Sequence, residues 1–159
     1  MKKVLLGMLF LSWAGICFAG AADDVNEGVN LHNQGKYSEA VALYDTALNS
    51  GELSEELRGV ALFNRGNAMQ AQGDYDQALA DYGAAITINP TDTEFWINRA
   101  NTYTRMGDYN AAMADYHKAS QINPRDARIY YNRAITLDTM GDPEAAKYDY
   151  EMARSLDPS

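Results

Sequence analysis

Three stretches of this chain repeat one another at a constant interval of 34 residues, and that interval constrains the fold more than any other feature. Residues 64–90 read NRGNAMQAQGDYDQALADYGAAITINP, residues 98–124 read NRANTYTRMGDYNAAMADYHKASQINP, and residues 132–158 read NRAITLDTMGDPEAAKYDYEMARSLDP. A fixed period of this length marks stacked supersecondary units, none of which can bury its own apolar face without a neighbour. Within each copy a glycine separates two helical halves. In residues 98–124 the first half runs to Met106, Gly107 breaks it, and the second runs from Tyr109 to Ile122 before Asn123 and Pro124. Glycine ends the first helix and proline keeps the second from running on. Ala112, Tyr116, Ala119 and Ile122 recur at helical spacing, as do Ala78, Tyr82, Ala85 and Ile88 one period earlier. The alanines let two helices approach closely and the tyrosines fill the space beside them. Each copy is therefore predicted to be an antiparallel helix pair.

The pattern resembles the tetratricopeptide repeat. The residues that carry the likeness are Trp96, the small residues Gly66, Ala100 and Ala134, then Tyr103, Ala112, Tyr116, Ala119 and Pro124. A looser first copy has Gly28, Leu31, Gly35, Tyr37, Ala40, Tyr44 and Ala47, lies 38 residues ahead of the second, and has Glu52 in place of the closing proline. The resemblance implies an all-α fold, a right-handed superhelical solenoid of four helix-turn-helix repeats over residues 22–54, 55–92, 93–126 and 127–159. The four extra residues after the first copy amount to about one helical turn. They are expected to lengthen the next helix without rotating its apolar face, with Ser54 as N-cap and Glu55 and Glu56 in the first turn.

The first 21 residues stand outside the repeats. Lys2 and Lys3, an apolar run from Val4 to Ile16, and small residues around Ala19, Gly20 and Ala21 describe a secretory signal peptide, cleaved after Ala19 or after Ala21. The run is shorter than the ~20 residues a membrane span needs. Lipidation of Cys17 is disfavoured by Ile16, which stands where a bacterial lipobox has a small residue. The expectation is an exported protein, periplasmic or else released to the medium. Cys17 is the only cysteine and would leave with the signal, so packing alone must hold the rest together. Loss of Lys2 and Lys3 leaves 11 basic against 22 acidic residues, a formal charge of -11. Such a surface disfavours nucleic acid and anionic lipid, whose capture depends on Lys and Arg. A protein or peptide partner is expected, with no small-molecule substrate and no cofactor.

Asparagine recurs at one slot of every first helix, as Asn26, Asn64, Asn98 and Asn132. In proteins that resemble this one the slot faces the inner groove, where an amide pairs with the main chain of an extended peptide. Asn67 and Asn101 lie three residues further on the same helical face. Phe63, Ile97 and Tyr131 share the slot beside the asparagines and are expected to give the groove apolar pockets. Some repeats of this family clamp a carboxylate with basic and Asn residues. Asn67, Asn98 and Arg128 match that pattern, whereas Phe63 and Asn132 stand where basic residues are expected.

Arg65, Arg99 and Arg133 each precede an aspartate by sixteen residues, Asp81, Asp115 and Asp149, while the first copy has Glu27 and Leu43 in those slots. An ion pair between the two helices of a repeat follows, worth about 1 kcal/mol. Repetition also makes Tyr82, Tyr116 and Tyr150 core residues. At the far end Leu79 and Ile86 become Met113 and Ser120, then Lys147 and Arg154, as expected of a terminal repeat that meets solvent. That edge, with Tyr148 and Leu156, is a candidate for self-association. His32 and His117 are isolated, and no nucleophile with a base, phosphate loop or metal spacing appears, so the sequence points to no catalytic residue and no metal ligand.

Overall fold

Glycine and aspartate punctuate the chain into helices of nearly equal length. The computed structural model describes residues 20–157; the proposed signal segment lies outside the described residues except for Gly20 and Ala21. Among the described residues there are eight helices and no strand: α1 (Ala21–Asn33), α2 (Tyr37–Ser50), α3 (Glu55–Gln72), α4 (Tyr75–Ile88), α5 (Thr93–Met106), α6 (Tyr109–Ile122), α7 (Ala127–Met140) and α8 (Pro143–Leu156). The odd helices α3, α5 and α7 end on Gly73, Gly107 and Gly141, all in the left-handed region that only glycine enters without strain. Their starts are capped by Ser54, Asp92 and Asp126, whose side chains accept from the backbone N–H of Leu57, Glu94 and Arg128. The four extra residues form an added first turn, so α3 has 18 residues where α5 and α7 have 14.

Each odd helix packs on the even helix that follows it, α1 on α2 through α7 on α8, and each even helix packs on the odd helix of the next repeat. Contact along the stack also joins α1 to α3, α3 to α5 and α5 to α7, whereas no two even helices touch. The odd helices therefore line the inside of the curve and the even helices its outside. This is the all-helical solenoid that the repeat implies.

The core is built where the small residues recur. Ala40, Ala78, Ala112 and Ala146 are fully buried, as are Tyr44 and Tyr82, with Tyr116 all but so. In the first two repeats the tyrosine ring lies so close that a Cβ on Gly28 or Gly66 would sit 2.6 Å or 2.9 Å from it. Ala100 takes the same slot opposite Tyr116. Two expectations fail here. Ile122 is exposed, whereas Ile88 is half-buried over Gly59 of α3, whose counterpart in α5 is Thr93. Tyr150 is half-buried, because among the described residues no repeat closes over it, and its hydroxyl donates to Asp138 (2.9 Å).

The Arg–Asp pairs form as the sixteen-residue spacing requires, and with more burial than a surface pair. Arg99 Nε and Nη2 donate to the two carboxylate oxygens of Asp115 (2.7 and 2.8 Å), and Arg65 on Asp81 and Arg133 on Asp149 repeat the fork. The aspartates are only 2–5% exposed. Arg99 also lies over the ring of Trp96 and Arg133 over that of Tyr130. In the first repeat Leu43 offers no carboxylate, and Arg65 of the second repeat, besides its fork on Asp81, also reaches back to Asp45 on α2. A second ladder runs between repeats: Gln70 donates to the buried Thr102 hydroxyl, and Thr104 and Thr136 share a hydrogen bond (2.9 Å).

Candidate concave binding surface

The open face of the odd helices follows from a spacing of four, three and four residues. On α5 it carries Glu94, Asn98, Asn101 and Arg105; on α3, Val60, Asn64, Asn67 and Ala71; on α7, Arg128, Asn132, Ile135 and Thr139. The other faces of these helices are spent on their own even helix and on the neighbouring repeats, so this strip looks into the hollow of the solenoid. Asn64, Asn98 and Asn132 lie along it, Asn64 and Asn98 half-buried, and among the described residues the side-chain amides of all three make no hydrogen bond. Each presents an unused donor and acceptor in a row along the inner surface. Asn26, at the same slot of α1, is exposed.

Asn67 and Asn101 stand on the same strip but are partly engaged. The Tyr82 hydroxyl donates to Asn67 Oδ1 (2.8 Å) and the Tyr116 hydroxyl to Asn101 Oδ1 (2.6 Å). Their carbonyl ends tie the strip to the core, and only the NH2 groups remain for another partner. Val29 and Ile135 occupy this slot in the first and last repeats. The Tyr44 hydroxyl accordingly lies buried without a partner, as does Nδ1 of His32. Burial pushes the Tyr44 phenol up to about 12 and raises Tyr82 and Tyr116 in the same direction.

The apolar pockets expected of Phe63 and Ile97 are absent. Both residues are buried, at 8% and 4% exposure, because their slot points along the stack rather than into the hollow. Phe63 meets Phe95 of the next repeat with ring centroids 4.8 Å apart. Tyr131, in the same slot, is 54% exposed only because α7 belongs to the last repeat. The hollow draws its apolar surface from Val60 and Ile135, both exposed, which the sequence pattern did not single out. Their sequence signal is their place four residues before Asn64 and three after Asn132.

Depressions bear on this strip in two places. One of about 260 Å³ lies between α5 and α7 and brings together Asn101, Arg105, Asn132 and Ile135, with Gln70, Thr104 and Tyr116 around it. Arg105 makes no ion pair among the described residues, so this depression holds a cation, a free amide and an aliphatic side chain. The other, of about 1010 Å³, lies at the C-terminal end and is lined by Arg128, Tyr131, Asn132, Lys147, Tyr150 and Arg154 among others. Arg128 is less available than its exposure suggests. It forks onto Asp126 (2.8 and 3.1 Å), approaches Glu94 (3.9 Å), and holds the Asp126 carboxyl below the usual carboxylate range. Asn67 is engaged by Tyr82, Arg128 is paired, and Phe63 is buried where the clamp pattern has a basic residue, so the residues matching a carboxylate clamp do not assemble into one. Among the described residues no three His, Cys, Asp or Glu side chains are grouped to hold a metal ion.

Comparison with known proteins agrees with this architecture. Residues 66–107 and 100–141 match the family model described as TPR repeat, and residues 127–159 match the one described as tetratricopeptide repeat. Together these matches run from residue 66 to residue 159, more than half of the chain. No curated protein sequence matches it. Among solved structures it is similar to MamA residues 41 to end from Desulfovibrio magneticus RS-1, with 17% identity, a TM-score of 0.77, and coverage of 87% of this chain and 76% of that one. YrrB, described as a TPR protein with an unusual peptide-binding site, superposes with 20% identity and a TM-score of 0.74 over 87% of this chain and 70% of its own. A thermophilic TPR protein from Thermus thermophilus does so with 20% identity and a TM-score of 0.73 over 88% and 76%. At these identities the likeness is one of fold.

Proposed function

This chain belongs to the tetratricopeptide repeat family, and from that premise we propose that its hollow binds an extended peptide segment of another protein, as an adaptor or assembly scaffold. The observation that carries the reading is the row of unengaged amides on Asn64, Asn98 and Asn132. An amide on a concave surface and without a partner has both an acceptor and a donor to offer, which is what a peptide main chain takes up. The peptide-binding site named for YrrB supports the same class of ligand. The depression between α5 and α7 favours a segment with an acidic side chain near Arg105 and an aliphatic one near Ile135.

The reading is tested by selecting binders from a random peptide library and titrating them against the wild type and Asn98→Ala/Asn132→Ala. The selected peptides should bind the wild type and lose at least about tenfold in affinity to the variant, the effect of about 1.4 kcal/mol. The variant should melt as the wild type does, since neither amide holds the fold. Equal affinity for the variant would refute it.

Export to the periplasm belongs to the same proposal, and it rests on the basic start and the apolar run of the first 21 residues. Of the two cleavage positions, the one after Ala19 suits the fold. Ala21 is 5% exposed and packs with Val25 in the first core cluster, and Gly20 caps α1. Cutting after Ala21 would remove both. The intact mass of protein recovered from the envelope should therefore correspond to a chain beginning at Gly20. A chain beginning at Ala22, or one retaining Met1, would overturn this part.

A further inference from the structure

The two ends of the solenoid differ in charge at the slots where interior repeats press on each other. On the C-terminal end, Phe63 and Ile97 are buried against the following repeat while Tyr131 lies open. Met113 packs into the core between repeats and Leu79 is half-buried, whereas Lys147 at the same slot is exposed; the slot of the buried Ile86 is occupied by the exposed Arg154. Together Tyr131, Lys147 and Arg154 line the groove of about 1010 Å³, which occupies the place of a ninth helix.

On the N-terminal end, α1 carries acids at the slots that interior odd helices press against the preceding repeat. Ala61, Phe95 and Ile129 are buried at a slot where α1 has the exposed Asp23. Leu62, Trp96 and Tyr130 share a slot with Asp24, and Arg65, Arg99 and Arg133 share one with Glu27. The first helix is thus shaped as an odd helix and carries acids for the Lys147 and Arg154 of the groove at the other end, which Glu151 and Asp157 also line.

We propose that a second copy of this chain docks head to tail, with its α1 in the terminal groove formed by α7 and α8. Interior repeats set the alignment. Phe95 meets Phe63, so Asp23 of the incoming copy meets Tyr131, whose hydroxyl can donate to the carboxylate. Asp24 enters beside Lys147 and Arg154. One pairing is unfavourable: Arg65 reaches Asp45, and in the docked arrangement Glu27 comes against Glu151 at the corresponding slot. The contact joins unlike surfaces, so it does not close on itself, and each added copy presents a fresh groove. The complementarity of the ends works against the overall negative charge of the chain, which makes the association weak and sensitive to salt. It is independent of what the hollow binds.

Sedimentation velocity on the purified protein tests the proposal. The weight-average mass should climb with concentration at low salt, without a plateau at the dimer, and return to the monomer value near 0.5 M salt, where the Debye length is about 4 Å. Asp23→Lys/Asp24→Lys and Lys147→Glu/Arg154→Glu should each be monomeric, and their equimolar mixture should associate again, because each variant then offers an end complementary to the other and the two alternate along the stack. Glu151→Lys should associate at lower concentration than the wild type. These are surface positions, and far-UV circular dichroism verifies that each variant is folded. A wild type that stays monomeric at millimolar concentration would overturn the proposal, and so would association that stops at a symmetric dimer or ignores the charge exchanges.

Discussion

Tyr44 and Tyr116 occupy the same slot of two repeats, yet removing their hydroxyls should change stability in opposite directions. The Tyr116 hydroxyl donates to Asn101 Oδ1 at 2.6 Å, and the Thr136 hydroxyl lies 3.5 Å from it. Tyr116→Phe removes that bond and leaves partners behind, a loss of about 1 kcal/mol. The Tyr44 hydroxyl is buried without a partner, because Val29 and Ala68 stand where the later repeats have Asn101 and Thr136. Tyr44→Phe discards a desolvated hydroxyl and keeps the ring, so it should be neutral or gain up to about 1 kcal/mol. The two variants should then differ by up to about 2 kcal/mol, or several degrees in Tm for a chain of this size. Ala68→Thr is the complementary change. Thr102 and Thr136 are fully buried at that slot and bond back to the carbonyls of Asn98 and Asn132. A threonine at 68 would place a hydroxyl near both Tyr44 and His32 Nδ1, and in that background Tyr44→Phe should become a loss. Urea unfolding followed by circular dichroism and by Trp96 fluorescence measures the wild type and the four variants, with an unchanged slope expected. A Tyr44→Phe loss equal to that of Tyr116→Phe would show that the Tyr44 hydroxyl has a partner, and the reasoning would fail.

The Arg–Asp clasps should matter more than their surface analogues. Because Asp115 is 5% exposed, Arg99→Ala strands a buried carboxylate and should cost about 3 kcal/mol rather than the ~1 kcal/mol of an exposed pair. Asp115→Ala made in addition should recover part of that, and a double-mutant cycle with no coupling would refute the clasp. Alkaline pH should destabilise the fold. The buried tyrosines favour their neutral form, so their contribution is complete below the unfolded value near 10 and is lost as the pH rises through the raised folded values, about 12 for Tyr44. Urea midpoints should fall between about pH 10 and about pH 12, and less steeply in Tyr44→Phe; a flat profile would contradict the burial argument.

The candidate site divides along physical lines. The amide row was legible because Asn64, Asn98 and Asn132 repeat at the period of the stack. Val60, Arg105 and Ile135 were not, since they do not repeat in kind. Val60 corresponds to Glu94, Arg105 to Ala71 and Thr139, and Ile135 to Asn67 and Asn101. Tyr150 looked like Tyr82 and Tyr116 in sequence, yet it lacks both the asparagine partner and the covering repeat that bury the other two.

Helix number, helix ends, the added turn of α3 and the clasp across sixteen residues were all determined by the sequence alone. Each depends on contacts within one hairpin, and there spacing along the chain is a direct measure of direction in space. Which side of an odd helix stays open was decided only by the tertiary structure. Ile97 and Asn98 are neighbours in sequence about 100° apart around the helix, and the close approach of α3, α5 and α7 buries the first while leaving the second facing the hollow. The curvature that makes this choice is a property of the whole stack, summed over four hairpins, and no single repeat contains it.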